Sequence, residues 1–376
     1  MKILFTIPYL TYSGAPKMIA WVANQMANKG HDVHMLAFFT EKEAHSLNEN
    51  INLYSLKLVQ DKNRFKRNTV DMIKTISGLH KLVKKTKPDI VVSFLDSAGY
   101  VYLPIGKLLT KSKFVVSERV DPYSYKGKLA KIRFNLMKFA HGCIFQTKGA
   151  QEFFEKYPQI YDNSIVIPNP VVVNNEITSM QNNIPAPEER EKRIVTVGRL
   201  SLKQKRQDVL LQAFDVFHKK HPDYKLVIYG DGADREKIQI MIDQMNLNSC
   251  VELAGRTDNV EEEIFRASAF VLTSDFEGIP NALIEALSIG VPSVSTDCSP
   301  GGAALLIKDG ENGFLVPRGD VNAIAEKLSL VVSDSDVSKT FSKNGPHITT
   351  EFSEEVTADK WENYFKNIIK RRGENG

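Results

Sequence analysis

The sequence predicts an α/β protein of two doubly wound domains, each a parallel sheet with helices on both faces. Three observations point there. Short apolar runs ending in small or polar residues alternate with helical patterns of about 12 to 18 residues, the rhythm of a parallel sheet with crossover helices. That rhythm occurs twice along the chain. Between the two occurrences, residues 173–192 lose periodicity and collect Asn174, Asn175, Asn182, Asn183, Pro185 and Pro187, as a linker does.

The first half places strands at residues 2–8, 32–39, 51–56, 89–94, 113–118, 142–147 and 164–168. The opening run is stopped by Thr11, Tyr12, Ser13 and Gly14 before a signal h-region or membrane span forms, so it reads as a core strand. The second half places strands at 193–198, 225–230, 251–254, 269–274, 292–296 and 313–316. The expected division is 1–172, a linker over 173–192, and 193–351. A last helical pattern over 352–376, with Phe352, Trp361, Tyr364, Phe365, Ile368 and Ile369 on one stripe, is expected to return to the first domain.

At 376 residues, 42% apolar and 25% charged, the chain is long enough to bury two cores without staples. Cys143, Cys250 and Cys298 are too widely spaced for a zinc site, and their odd count suits a reducing, cytoplasmic setting. Charge is unevenly spread: residues 1–185 hold 25 Lys and Arg against 14 Asp and Glu, whereas 186–376 hold 24 against 31. The stretch from Lys126 to Lys138 interleaves five cations with Leu129, Ile132, Phe134, Leu136 and Met137. It reads either as an interfacial helix on an anionic leaflet or as a solvated helix with one buried face. Nucleic-acid binding fits the basic half but lacks interleaved stacking aromatics.

Ligands of open α/β sheets bind beyond the carboxyl ends of the strands, so the chemistry is sought there. After the 269–274 strand, Glu277 falls in a loop and Glu285 in the second turn of a helix opened by Pro280. Both carboxylates then face one crevice, beside the main-chain amides of the Gly278–Asn281 turn. A solvated Glu on an amphipathic helix is the plain competitor, weakened at Glu285 by its apolar neighbours. Arg199 and Lys205 follow the 193–198 strand, where two cations beside a helix start suit a diphosphate. In the first half, Ser13 and Gly14 turn the first strand into a helix with little bulk. Glu118 and Arg119 follow the 113–118 strand, as neighbours of a sugar or as a structural ion pair. None of the eight His residues has triad-like company, so no catalytic His is assigned. Asp334-Ser335-Asp336 spells D-x-D but sits between helical patterns, as a capped turn would; Gly230-Asp231-Gly232 lacks the third glycine of a dinucleotide fingerprint.

The eight-residue spacing of Glu277 and Glu285 within F-E-G-x-P-N-x-x-x-E-A resembles the E-x7-E signature of retaining GT-B glycosyltransferases of family GT4. Gly198-Arg199-Leu200 with Lys205 and Ala213-Phe214 is similar to that family's G-R-L…K-G…A-F segment. Ser13-Gly14-Ala15 with Lys29-Gly30-His31-Asp32-Val33 resembles its opening, and Pro168-Asn169-Pro170 and Asp309-Gly310-Glu311-Asn312-Gly313 fall where it carries similar runs. The resemblance implies two Rossmann-like domains facing across a cleft, the first for an acceptor and the second for a nucleoside diphosphate sugar, with no metal or other cofactor. It implies Glu277 on the sugar hydroxyls, Glu285 on the ribose, and Arg199 and Lys205 on the diphosphate. Gly278, Ile279, Pro280, Asn281, Gly14 and Arg256 are placed with the donor; Ser13, Glu118 and Arg119 lie near the acceptor or sugar. The family often has His where Ser117-Glu118-Arg119 stands, and Gly where Arg206 stands. The implied acceptor is a glycan or lipid-linked glycan of bacterial surface polysaccharide synthesis. A sugar-nucleotide 2-epimerase and a non-catalytic scaffold share the architecture.

Overall fold

The computed structural model describes residues 1–10, 14–39, 46–58, 64–94, 97–257 and 259–371. The chain divides into two compact units, Met1–Asn169 with Glu355–Gly376, and Pro170–Glu354. The first holds β1 (Lys2–Ile7), β2 (Asp32–Phe39), β3 (Asn52–Leu58), β4 (Ile90–Phe94), β5 (Lys113–Ser117), β6 (Gly142–Phe145) and β7 (Ser164–Val166), ordered β3-β2-β1-β4-β5-β6-β7. The second holds β8 (Glu191–Val197), β9 (Lys225–Tyr229), β10 (Val251–Gly255), β11 (Ala267–Leu272), β12 (Ser293–Thr296) and β13 (Phe314–Val316), ordered β10-β9-β8-β11-β12-β13. All pairings are parallel. Helices over both faces explain why the strand runs are almost continuously apolar rather than alternating; β4 and β11 are buried at every position.

In the first unit one face of the sheet, with Ile3, Phe5, Val92, Phe94, Val115 and Ile144, is covered by the Gly14–Asn28 and Glu354–Lys370 helices. The helices Arg64–Thr86, Ser97–Leu109 and Gly127–Met137 cover the other. The Gly127–Met137 helix has the buried face of the second reading. Ala130, Phe134 and Met137 are buried, while Leu129 and Ile132 are 79% and 54% exposed among its lysines. No helix among the described residues is long and apolar enough to cross a membrane.

The closing helix is seated by its apolar stripe. Trp361 is fully buried, stacked on Phe94 with ring centroids 5.8 Å apart and edge-on to Phe365 at 5.6 Å. The Tyr364 hydroxyl donates to the Asn163 carbonyl at 2.6 Å, and Lys29 reaches Asp359 at 2.6 Å.

The segment read as a linker, 173–192, is more ordered than its composition suggested. Asn174 accepts the Ile177 N–H at 2.8 Å and starts the helix Asn175–Asn182, which docks on the second unit through buried Ile177 and partly buried Met180. Two apolar residues suffice to seat two turns of helix, and too few of them stand out as a period.

Trp361→Ala is expected to lower the stability of the first unit by about 3 to 5 kcal/mol, the usual cost of truncating a buried aromatic. Urea unfolding of the full chain followed by far-UV circular dichroism would show an earlier transition; an unchanged midpoint would contradict this role.

Candidate active site

Each sheet adds strands outward in two directions from its first strand, so the loops leaving β8 and β11 flank the topological switch point of the second unit. The glycines there set how closely main chain approaches main chain. Gly230 has φ +128°, and a Cβ on it would lie 1.9 Å from the Gly198 carbonyl oxygen. A Cβ on Gly302 would lie 2.0 Å from the Gly278 oxygen. Side chains are excluded at both positions.

The loop after β8 is held from within. Gln207, itself buried, accepts the Ser201 N–H at 3.2 Å and donates to the Arg199 carbonyl at 3.0 Å. The Lys205 N–H donates to the Ser201 carbonyl at 2.8 Å, and the Thr273 hydroxyl, at the end of β11, donates to the Lys205 carbonyl at 2.9 Å. Lys205 is thereby fixed between the two strand ends. Its stem runs past Gly198, where an added Cβ would lie 3.1 Å from Cε and 3.2 Å from Nζ.

Glu277 meets it there. Lys205 Nζ is 2.5 Å from Glu277 Oε1, the same oxygen accepts the Ser274 hydroxyl at 2.9 Å, and Gln204 Nε2 reaches the Phe276 carbonyl at 3.2 Å with Oε2 3.5 Å away. The Glu277 loop is laced to its neighbours by main-chain bonds. Glu277 N–H donates to the Ser299 carbonyl at 2.8 Å, Ser299 N–H to Asp275 at 3.0 Å, and Asp275 N–H to Gln204 at 2.9 Å. The Thr296 hydroxyl donates to the Ser274 carbonyl at 2.6 Å. Behind the loop, Cys298 is buried, which pushes its thiol up to about 12 and keeps it protonated.

Pro280 is the N-cap of the Asn281–Ser288 helix, one position earlier than expected, and Ile279, Leu283 and Ala286 anchor the segment in the core. Glu285 lies half-buried in the second turn. Arg199 is exposed and has no ion pair among the described residues. Arg256, at the end of edge strand β10, instead stands 3.7 Å from Asp231.

Arg206, set aside in the sequence because a glycine is usual there, turns out to matter. Its φ of +52° is the left-handed conformation that favours glycine. The side chain offsets that cost by bonding Asp208 at 3.0 Å and Asp275 at 3.0 Å, tying the β8 and β11 loops together. Those hydrogen bonds, from Asp208 first, raise its pKa and hold it charged. Departure from glycine at a turn was the one signal that could have found it. Ser274 and Thr273 carried none.

In the first unit, Gly14 opens the Gly14–Asn28 helix, and Ser13 lies outside the described residues. Glu118 and Arg119 do not form the pair foreseen between them. The Glu118 carboxylate is buried and binds Arg133 through Nη2 at 2.8 Å and Nε at 3.2 Å, with the Tyr100 hydroxyl donating at 3.1 Å. Arg119 lies over Phe94 and Trp361 at 5.1 and 5.3 Å, donates to Asn169 at 3.2 Å, and is lowered to about 9 by burial. The enclosed carboxylate thus accepts from Arg133 and Tyr100, the structural reading of the two. Asp334 of the D-x-D stretch caps a helix by accepting the Asp336 and Val337 N–H groups at 3.0 and 3.1 Å. Among the described residues no group of three or more His, Cys, Asp or Glu is placed to hold a metal ion.

Residues 12–175 match the family described as Glycosyltransferase Family 4, and residues 179–348 match Glycosyl transferases group 1. A relative from Campylobacter jejuni, named GalNAc-alpha-(1->4)-GalNAc-alpha-(1->3)-diNAcBac-PP-undecaprenol alpha-1,4-N-acetyl-D-galactosaminyltransferase, is 26% identical over 96% of this chain and 97% of its own. The Escherichia coli lipopolysaccharide 1,6-galactosyltransferase is 35% identical over 43% of this chain and 46% of its own. The fold is that of the lipopolysaccharide outer core galactosyltransferase WaaB, with TM-score 0.76 and 23% identity over 98% of this chain and 99% of that one. It is also that of Anabaena HepE, solved with UDP and glucose, with TM-score 0.75 and 17% identity over 98% and 100%. With both halves matched by the two family descriptions and both sheets of the expected build, the chain belongs to the GT4-type glycosyltransferases of GT-B fold.

Proposed function

We propose that this glycosyltransferase is retaining and metal-independent, and moves a hexosyl or N-acetylhexosaminyl group from a UDP-sugar to a hydroxyl of a glycan or lipid-linked glycan in bacterial surface polysaccharide or lipopolysaccharide synthesis. The observation that carries the reading is the meeting of Lys205, Gln204, Ser274 and Glu277 where the β8 and β11 loops come together. Lys205 and the exposed Arg199 bind the diphosphate; Glu277 takes sugar hydroxyls, and Glu285 the ribose. The amides of the Gly278–Asn281 turn and the helix start behind it add donors for phosphate. UDP in the HepE structure and the galactosyl and N-acetylgalactosaminyl groups in the relatives' names support the donor class. The relatives are transferases, so the epimerase and scaffold readings gain nothing from them.

Asp275 and Glu277, the carboxylates of the β11 loop, are each held by a cation, which suits hydrogen-bond acceptance better than nucleophilic attack. The chemistry that fits is attack by an acceptor hydroxyl on the face from which the diphosphate leaves. The bond from the anomeric carbon to the phosphate oxygen breaks, the bond to the acceptor oxygen forms, and the hydroxyl proton passes to the departing phosphate. Charge grows on that phosphate, where fixed cations stabilise it without a divalent ion. The acceptor reading rests on the first unit. Leu129 and Ile132 project among Lys126, Lys128 and Lys131 at its surface, a pattern that suits a lipid-linked substrate at an anionic cytoplasmic leaflet.

Thermal unfolding with UDP, GDP, ADP and TDP, each with and without EDTA, is expected to give a UDP-selective shift that EDTA leaves in place. At about 100 times the dissociation constant the ligand adds about 2.7 kcal/mol; a shift abolished by EDTA would overturn metal independence. Arg199→Ala and Lys205→Ala, folded by circular dichroism, are each expected to lose about a hundredfold in turnover, near 3 kcal/mol of barrier. Near-normal rates would remove the role given to them. In flotation assays, vesicles rich in phosphatidylglycerol should carry the protein and phosphatidylcholine vesicles should not, with Leu129→Ser/Ile132→Ser weakening the association; binding indifferent to lipid charge would contradict the leaflet reading.

A further inference from the structure

The cation assigned to the diphosphate is already occupied. Lys205 Nζ and Glu277 Oε1 are 2.5 Å apart, and both side chains are largely covered, 16% and 11% exposed. Ser274 donates to the same oxygen, and the lysine stem is confined beside Gly198. The two side chains are therefore held close together, and an incoming diphosphate meets a lysine whose charge is balanced by a carboxylate.

Two anions then compete for one ammonium. An ammonium has three N–H donors but a single charge, and a carboxylate left beside bound phosphate with nothing in exchange loses its partner in a partly desolvated place, which is costly. What the ligand offers Glu277 decides the outcome. A sugar nucleotide brings hydroxyls that donate to the carboxylate and replace what Lys205 withdraws. A nucleoside diphosphate brings more negative charge and no such donor.

We propose that Glu277 is a specificity-determining residue acting through Lys205: the pair discriminates the sugar-bearing nucleotide from the free nucleoside diphosphate, and its re-formation after transfer helps to expel the product. The proposal rests on the donor site described above and goes beyond it, because sugar recognition alone requires no competition for the lysine. Gln204 and Ser274 belong to the same device, since they hold the Glu277 oxygens toward the lysine. Arg206 does not, as its carboxylates are Asp208 and Asp275.

The test measures the affinity of the full chain for UDP, or for whichever nucleoside diphosphate the unfolding panel selects, by isothermal titration. Glu277→Gln keeps the shape and a hydrogen-bonding group while removing the charge. It is expected to bind UDP about tenfold more tightly, the size of one charge-assisted hydrogen bond, while turnover falls. In a Lys205→Gln background the same change should alter UDP affinity by less than about twofold. Equal tightening in both backgrounds would mean plain repulsion between Glu277 and the phosphates, and would overturn the competition. So would unchanged or weaker UDP binding by Glu277→Gln. Failure of the unsubstituted protein to bind any nucleoside diphosphate would instead remove the donor site, and the proposal with it. Should Glu277→Gln not fold, the unsubstituted protein still decides: it must bind the intact UDP-sugar at least as tightly as UDP, and a clear preference for UDP overturns the proposal.

Discussion

Main chain lying directly against main chain is the constraint on which the second unit's site depends. Where Gly230 meets the Gly198 carbonyl, and Gly302 that of Gly278, a methyl group would sit 1.9 or 2.0 Å from an oxygen, and Gly232 meets Leu200 in the same way at 2.3 Å. Beside these contacts, Thr273 reaches the Lys205 carbonyl and Gln204 reaches the Glu277 loop, which joins the β11 loop to the β8 loop. A lysine and a carboxylate brought together by long free side chains lose side-chain entropy and gain little in water. Here the backbone has already fixed where each begins, so less freedom remains to be lost when they pair.

Buried charge is handled differently in different parts of the chain. Arg190 is buried and lowered to about 10 by desolvation, yet three carbonyls, of Phe265, Ala267 and Gly290, and the Ser342 hydroxyl accept its N–H groups. Glu118 and Arg133 form a buried pair completed by Tyr100, whose ring also lies 4.1 Å from the guanidinium carbon. Arg119 has one amide oxygen and the faces of Phe94 and Trp361, with Nε and Nη2 lacking partners among the described residues. Of the three it is the least compensated. Its contacts nonetheless join β4, the chain at Asn169 and the closing helix, so its desolvation is spent where the first unit's strand ends meet that helix.

The fold was readable because a parallel sheet covered on both sides demands long apolar runs, and β4 and β11 are buried at every position. The helix Asn175–Asn182 gives no period because its apolar contacts with the second unit's core are Ile177 and Met180, with Gln181 adding a hydrogen bond to the Ser288 carbonyl. At the site, Glu277, Glu285, Arg199 and Lys205 were found from charge, spacing and resemblance. Their supports were not. Ser274, Thr273 and Thr296 are small polar residues with no period, whose meaning lies in an oxygen across a loop. The Glu118–Arg133 pair was equally hidden: the nearer cation, Arg119, is its neighbour in sequence, but the one that binds arrives from the Gly127–Met137 helix. Adjacency in sequence ranks partners badly at a strand end, because successive side chains leave on opposite faces.

Taken together, the charges of the β8 and β11 loops are almost balanced within the loops themselves. Lys205 is matched by Glu277, and Arg206 by Asp208 and Asp275. Arg199 and Lys203 stand outside this balance, both exposed and without an ion pair among the described residues. An anion approaching through water therefore meets the fields of Arg199 and Lys203 first, while on the proposed competition Lys205 becomes available only as Glu277 is satisfied by something else. Arg199 and Lys205, six residues apart and alike in formal charge, thus differ in what they can do. On the proposed roles, the exposed one attracts any diphosphate, in proportion to charge and screened by salt. The enclosed one responds to what the diphosphate carries, because its release depends on a hydroxyl donor arriving at the carboxylate beside it.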